Sequence, residues 1–352
     1  MKNNTINTIH FDITEFCNYS CEYCYQGINK IQKHISEEIY NNFFVFLDSL
    51  KEPFNVHLIG GEPFLYPKFF EMIQKIISYR GGNKISVTTN FSHSKNILSK
   101  FLDIAKGKIS FIEISMHLTQ IKDFEIFIEK LLWFKEKSEL NFEDFQLNSI
   151  LLQNNFEKVK ELKQRVEDLG FKLNIQRVFD EKGYLQYSEY IEKWIEENNC
   201  IDIPLFMVTG KDYSKVCALA CRTGNKFFKI LIDGKVTRCF SDNEYGYNLL
   251  GNMSKSYKVK ILKDYTPCLS VNNKCRCYAG FIKLGQIETE NKKLFYYNFL
   301  KIKSSLKVKK LKFLKAFYGF LKKISFGKMK NYIRLKEDKI NFLISEILIY
   351  KY

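Results

Sequence analysis

The chain has 352 residues, 45% of them hydrophobic, and a formal net charge of +16. That length can bury a large α/β core beside a smaller unit, and no run approaches the roughly 18 apolar residues of a membrane-spanning helix. The first residues lack the apolar stretch of a signal peptide, so the ten cysteines read as free thiols in a reducing cytoplasm and not as a disulfide framework.

Apolar, β-branched runs alternate with helical stretches along the first two-thirds of the chain. A strand is expected at 10–14, and directly after it Cys17, Cys21 and Cys24 crowd one short loop, Phe-Cys-Asn-Tyr-Ser-Cys-Glu-Tyr-Cys. A four-iron cubane usually takes four thiolates, so three leave one iron open to a small molecule. A structural zinc site closes with a fourth ligand. No Cys or His follows within the next few residues, and His34, the nearest, reads as a solvated or helix-start histidine. A helix is expected over 36–50 and a strand over 55–59, followed by Gly60-Gly61-Glu62-Pro63. Glycines after a strand allow close backbone approach to a ligand, and a carboxylate can pair with a cation. Next come a helix over 67–79 and a strand over 84–88, running into Thr88-Thr89-Asn90. A helix over 95–105 leads to a strand over 109–115, which ends in Ser115-Met116-His117. Helices over 120–137 and 156–169 and strands over 145–151 and 173–178 complete the pattern. Polar residues at successive strand ends converge on one mouth, where parallel barrels place their sites.

Cys-x3-Cys-x2-Cys with an aromatic residue, Tyr23, before the third cysteine resembles the signature of the radical S-adenosylmethionine (radical SAM) superfamily. Gly60-Gly61-Glu62-Pro63 is similar to that family's Gly-Gly-Glu-Pro motif. The resemblance implies an α/β fold, a partial (β/α)6 TIM-like barrel over residues 1–200. It implies a catalytic 4Fe-4S cluster on Cys17, Cys21 and Cys24, with S-adenosylmethionine on the open iron. Cleavage of the sulfonium would release a 5′-deoxyadenosyl radical that abstracts a substrate hydrogen, the protein supplying binding, orientation and exclusion of water. By the same resemblance Tyr23, Gly60, Gly61, Glu62, Pro63, Asn90, Ser115 and His117 frame the S-adenosylmethionine, Ser115 in the place of a ribose-binding residue. The fifth strand run lacks the glycine-containing pattern found there in some relatives.

Residues 217–277 hold six of the ten cysteines: Cys217, Cys221, Cys239, Cys268, Cys275 and Cys277. Such density without disulfides is a metal signature. Cys221, Gly234 and Cys239 resemble the half-motif that opens the auxiliary-cluster domains called SPASM and Twitch. Asp233-Gly234-Lys235-Val236 reads as a hairpin turn that returns Cys239 toward Cys221. The spacing of Cys268, Cys275 and Cys277 departs from the full SPASM pattern. The expectation is therefore a Twitch-like domain over 201–284 with one auxiliary 4Fe-4S cluster. Its ligands would be Cys221 and Cys239 plus two among Cys268, Cys275 and Cys277, with Cys217 as an alternative. A four-thiolate zinc knuckle is the other reading of the group, and Cys200 reads as a small buried residue.

Residues 301–352 carry 15 Lys and Arg against three acids, so the charge is concentrated in a tail over 285–352. Leu311, Leu314, Phe317, Tyr318 and Leu321 recur there at helical spacing among lysines. This basic amphipathic helix either packs on the barrel or lies on an anionic membrane, with RNA as a third reading.

The resemblance implies an oxidoreductase of the maturase type acting on a peptide or protein. Oxidation or rearrangement of a carbohydrate or lipid-linked glycan is the alternative, and a non-catalytic metal-cluster protein that binds nucleic acid is the rival from another class. A flavodoxin- or ferredoxin-like reductant is the implied partner, and a cytoplasmic location, peripheral to the membrane through the tail, is expected. Many peptide-maturing relatives carry an N-terminal leader-binding module. The 16 residues before Cys17 are too few for one, which weakens the peptide reading without removing it.

Overall fold

The computed structural model describes residues 7–24, 33–79, 82–180, 183–184, 186–198, 220–239 and 249–262, together with the strand residues 266–267 and 289–290. Strands and helices alternate as β1 (Thr8–Thr14), α1 (Glu37–Ser49), β2 (Asn55–Gly60), α2 (Phe69–Ser78), β3 (Lys84–Thr89), α3 (Lys95–Ile104), β4 (Ile109–Ser115), α4 (Phe124–Ser138), β5 (Phe145–Leu151), α5 (Phe156–Asp168) and β6 (Leu173–Arg177). Every neighbouring pair from β1 to β6 is parallel. All strand C-termini therefore lie at one end, as the barrel reading expects.

One face of each strand makes the core. Ile9, Phe11, Ile13, Val56, Leu58, Ile85, Val87, Ile112 and Ile114 are all 0% exposed and cluster with α1 Phe43, α2 Phe69, α3 Phe101 and α4 Phe134. The helices present apolar stripes at three- and four-residue spacing, such as Phe69, Met72, Ile73 and Ile76 of α2. Caps set several helix starts. Ser36 accepts from the Ile39 N–H ahead of α1, and Asp123 accepts from the Ile126 N–H ahead of α4. That Asp123 cap starts α4 at Phe124, later than the expected 120, because Gln120 and Ile121 donate back to the His117 carbonyl in a turn. α2 likewise starts at Phe69 because Pro63–Leu65 forms a 3-10 turn first.

Beyond β6 lie the short strands β7 (Phe179–Asp180) and β8 (Gly183–Tyr184), helix α6 (Glu189–Glu197), and the strands β9 (Ala220–Cys221), β10 (Phe227–Ile230), β11 (Lys235–Thr237), β12 (Leu249–Asn252), β13 (Thr266–Pro267) and β14 (Thr289–Glu290). β10 pairs parallel to β1, and β11 and β12 follow antiparallel. The result is one nine-stranded sheet in the order β12-β11-β10-β1-β2-β3-β4-β5-β6. The sheet thus runs past the expected boundary at residue 200, because β1 offers an open edge whose N–H and C=O groups need partners. The hairpin expected at 233–236 is present. Gly234 has φ +83°, and a Cβ there would lie 2.6 Å from the Ser254 nitrogen.

Cys200, Cys217, Cys268, Cys275 and Cys277 and the amphipathic stripe of the tail lie outside the described residues. No helix among the described residues is long and apolar enough to cross a membrane.

Candidate active site at the barrel mouth

The loop that carries the three cysteines is clamped on two sides where it leaves β1. On one side the chain returns antiparallel: Ile35 N–H donates to the Ile13 carbonyl at 3.1 Å and Glu15 N–H to the Lys33 carbonyl at 2.8 Å. His34 Nδ1 lies 2.9 Å from Thr14 Oγ1, and its ring stacks on Phe16 at 4.4 Å. His34 is therefore neither a solvated nor a helix-start histidine but part of the clamp, and burial lowers its pKa. On the other side Gly61 N–H donates to the Thr14 carbonyl at 2.8 Å and Glu62 N–H to the Phe16 carbonyl at 2.7 Å. The double glycine is a requirement of this approach: a Cβ on Gly60 would stand 2.1 Å from Thr14 O, and one on Gly61 2.2 Å from Phe16 O. The φ of Gly60 is +149°.

Within the loop Cys21 is buried, Cys17 half-buried and Cys24 exposed, all as free thiols. Cys17 Sγ accepts from the Tyr19 N–H at 3.4 Å and from Asn90 Nδ2 at 3.7 Å. Without a bound cation, burial pushes the Cys17 thiol up and the Cys21 thiol to about 11. Among the described residues no group of three or more His, Cys, Asp or Glu side chains converges to hold a single metal ion. Thiolates that each take a separate iron of a cluster have no need to meet at one point.

The remaining residues expected at the site divide into two groups. Glu62 is 0% exposed and turned into the wall, where it accepts from Asn90 N–H at 2.7 Å, Thr89 Oγ1 at 2.9 Å and Phe64 N–H at 3.3 Å. Its burial outweighs these donors and raises the carboxyl to about 7. In the structure the carboxylate ties the end of β2 to the end of β3, and Pro63 opens the following turn. Asn90 reaches the cysteine loop through Cys17 and through Asn18 Oδ1 at 2.9 Å. The next residue, Phe91, takes a left-handed φ of +57° while fully buried, a strained turn held by the Thr89 hydroxyl. Across the mouth Tyr23 Oη lies 3.1 Å from His117 Nδ1, with the rings stacked at 5.9 Å, and Tyr19 meets the same imidazole edge-on. Burial lowers His117 to about 4, so its ring is neutral at neutral pH. Ser115, at the end of β4, is half-buried and pairs in register with Asn148. Cys17, Tyr23, Asn90 and His117, up to 100 residues apart in sequence, thus share one rim.

Residues 11–172 match the sequence profile of the Radical SAM superfamily. This barrel is a radical SAM domain. Over 196 residues the chain is 25% identical to a GTP 3′,8-cyclase of Psychromonas ingrahamii, covering 52% of each protein. Over 318 residues it is 23% identical to human molybdenum cofactor biosynthesis protein 1, covering 80% of this chain and 48% of that protein. The chain spans about half the length of the curated relatives it matches. Among solved structures, Streptococcus suis SuiB bound to precursor peptide SuiA shares the fold with a TM-score of 0.50 and 14% identity, covering 80% of this chain and 74% of that one. Enzymes of this superfamily use a 4Fe-4S cluster and S-adenosylmethionine.

Sequence reasoning missed a second polar assembly, deeper in the radical SAM barrel. Asn55 Nδ2 donates to Ser86 Oγ at 2.8 Å; His57 lies between Ser86 Oγ and Thr88 Oγ1, 2.8 Å from each. Thr88 donates to Glu113 Oε2 at 2.6 Å, and Asn148 Nδ2 donates to Glu113 Oε1. Burial works against ionisation of Glu113, but the donors from His57, Thr88 and Asn148 prevail and hold the carboxyl below its usual range. Toward the other end of the sheet the buried Lys229 of β10 pairs with Asp12 of β1. The signal was available: in β1 to β4 these polar residues alternate with the core residues at period two.

Proposed function

We propose that this radical SAM enzyme binds its catalytic 4Fe-4S cluster through Cys17, Cys21 and Cys24 and abstracts hydrogen from a peptide or protein substrate. The observation that carries the site is the clamped loop: three free thiols on one turn, with two N–H donors aimed at the Cys17 sulfur, a donor set suited to thiolate ligands. When bound, the cluster and S-adenosylmethionine supply reductive cleavage of the sulfonium to a 5′-deoxyadenosyl radical. The chain's own residues do the rest. The clamp of Thr14, His34 and the double glycine fixes where the thiolates stand, Asn90 orients Cys17, and Tyr19, Tyr23 and His117 form an aromatic wall. A neutral His117 adds no positive charge beside a bound sulfonium.

The substrate reading rests on lumen charge. Among the described residues the lumen holds Asp12 and Glu113 against Lys229, so it has no surplus of positive charge to meet a triphosphate. The names of the curated relatives favour the second reading, cyclisation of a guanine nucleotide. For the auxiliary region we infer one cluster on Cys221 and Cys239 with two among Cys268, Cys275 and Cys277. In its support, Cys221 pairs in register with Thr266, two positions before Cys268, and Cys239 is a buried free thiol. Four irons on each of two clusters amount to about eight irons per chain after anaerobic reconstitution. With dithionite the protein is expected to form 5′-deoxyadenosine from S-adenosylmethionine. Replacing Cys17, Cys21 and Cys24 together by Ala should remove about four irons and all cleavage; retained cleavage sinks the assignment. Zinc in place of the second set of irons would make the auxiliary group a zinc knuckle, and turnover of GTP would favour the nucleotide reading.

A further inference from the structure

The two faces of the strands differ in exposure. On the outer face of the strands Ile112 and Ile114, the neighbours of Glu113 in β4, are 0% exposed. Glu113 itself, at mid-strand and flanked by β3 and β5, still exposes 26% of its side chain, and Asp12, at the same level of β1, exposes 17%. Mid-strand side chains enclosed by neighbouring strands stay accessible only if they line an open space. Barrels of this size are commonly filled by their own side chains, so an unfilled polar lumen marks a place for a ligand.

The hydrogen bonds around that space converge on one carboxylate. Asn55 donates to Ser86, His57 bridges Ser86 and Thr88, and Thr88 donates to Glu113, with Asn148 donating from the other side. The chain ends on Glu113. A carboxylate offers about four acceptor positions. Oε2 faces Thr88 and, at 3.5 Å, His57 Nε2, while Oε1 takes Asn148. Among the described residues Asn148 is the one donor given to Oε1, so that oxygen keeps an acceptor position. Asp12, by contrast, is neutralised by Lys229.

We propose that Glu113 Oε1 accepts a hydrogen bond from a hydroxyl or ammonium group of the substrate, with Thr88, His57 and Asn148 as the positioning residues that hold the carboxylate. From the proposed function this takes only that substrate enters through the mouth. It narrows the substrate to one that buries a donor and disfavours one that buries an anion there, because a second carboxylate or a phosphate beside Glu113 would meet a like charge and find no donor on it.

The test uses the full reconstituted chain and saturation-transfer NMR with four probes. Three are blocked tripeptides, acetyl and amide at the ends, with lysine, serine or aspartate between two glycines; the fourth is glucosamine. The lysine and serine probes are expected to bind and the aspartate probe to be weaker by about tenfold or more. Glucosamine bound more tightly than either tripeptide would assign the donor to a carbohydrate. Glu113→Gln should weaken the ammonium probes by about tenfold or more and the serine probe less, since only the former lose an ion pair. Equal or tighter binding of the aspartate probe by the wild-type protein overturns the proposal, and so does the absence of binding by every donor probe; neither result depends on the variant's folding. Formation of 5′-deoxyadenosine, measured on the same wild-type preparation, separates the two ideas. Cleavage without the probe ranking removes the subsite alone, and the ranking without cleavage removes the reading of the cysteine loop alone.

Discussion

Two ionisable residues at the rim, Glu62 and His117, have pKa values moved in opposite directions by the same cause, burial of a charge. Glu62 titrates near 7 when folded against an ordinary 4.5. Its contribution to stability is complete below the ordinary value and is lost as pH rises through 7. His117 titrates near 4 when folded against 6.5. The unfolded chain binds more protons in that interval, so its contribution is complete above 6.5 and is lost as pH falls toward 4. Above about pH 6.5 only the Glu62 effect remains of the two, and denaturant midpoints should fall between pH 6.5 and 8. In Glu62→Gln that slope should vanish whatever the variant's absolute stability. A slope that persists would show that Glu62 is ionised in the folded protein.

At the scale of elements, the parallel pairing of β10 with β1 joins the barrel to the strands β11 and β12. Lys229 of β10 and Asp12 of β1 form a buried ion pair across that joint. Lys226, just before β10, reaches Glu52 on the surface. A pair withdrawn from water is costly to break because the remaining charge is uncompensated, whereas a surface pair is screened. Lys229→Met should therefore cost about 3 kcal/mol, and Lys226→Met below about 1 kcal/mol, by chemical denaturation. The double variant Asp12→Asn/Lys229→Met should recover most of the loss. Equal costs for the two lysines would mean that the lumen end of β1 is as wet as the surface.

At the scale of the molecule, the nine-stranded sheet makes the barrel dependent on chain beyond residue 219, since β1 would otherwise lie open on one side. A chain ending at residue 219 should associate or precipitate on size-exclusion chromatography, with its β1 edge unpaired and Asp12 without Lys229. A stable monomer of that length would show that the first six strand–helix units suffice.

The sequence by itself determined the strands, the helices and the place of the mouth, because these arise from local causes. The period-two and three-to-four-residue patterns fix β1 to β6 and α1 to α5, and cysteines separated by three and two residues must share one loop. The sequence also singled out Gly60 and Gly61, though for a ligand's approach; the structure presses the Thr14–Phe16 backbone against them. Only tertiary structure decided the features that depend on distant partners. Glu62 faces inward because β3 supplies Thr89 and Asn90 as donors 27 and 28 residues away. His34 is part of the clamp because the chain folds back on Thr14. Glu113 ends a hydrogen-bond chain built from β2, β3, β4 and β5, and no local pattern reports a register between four strands. The extension of the sheet by β10 rests on hydrogen bonds between residues more than 200 apart, such as Thr8 N–H to the Lys226 carbonyl. Closing so long a loop leaves no trace in the sequence beside either strand.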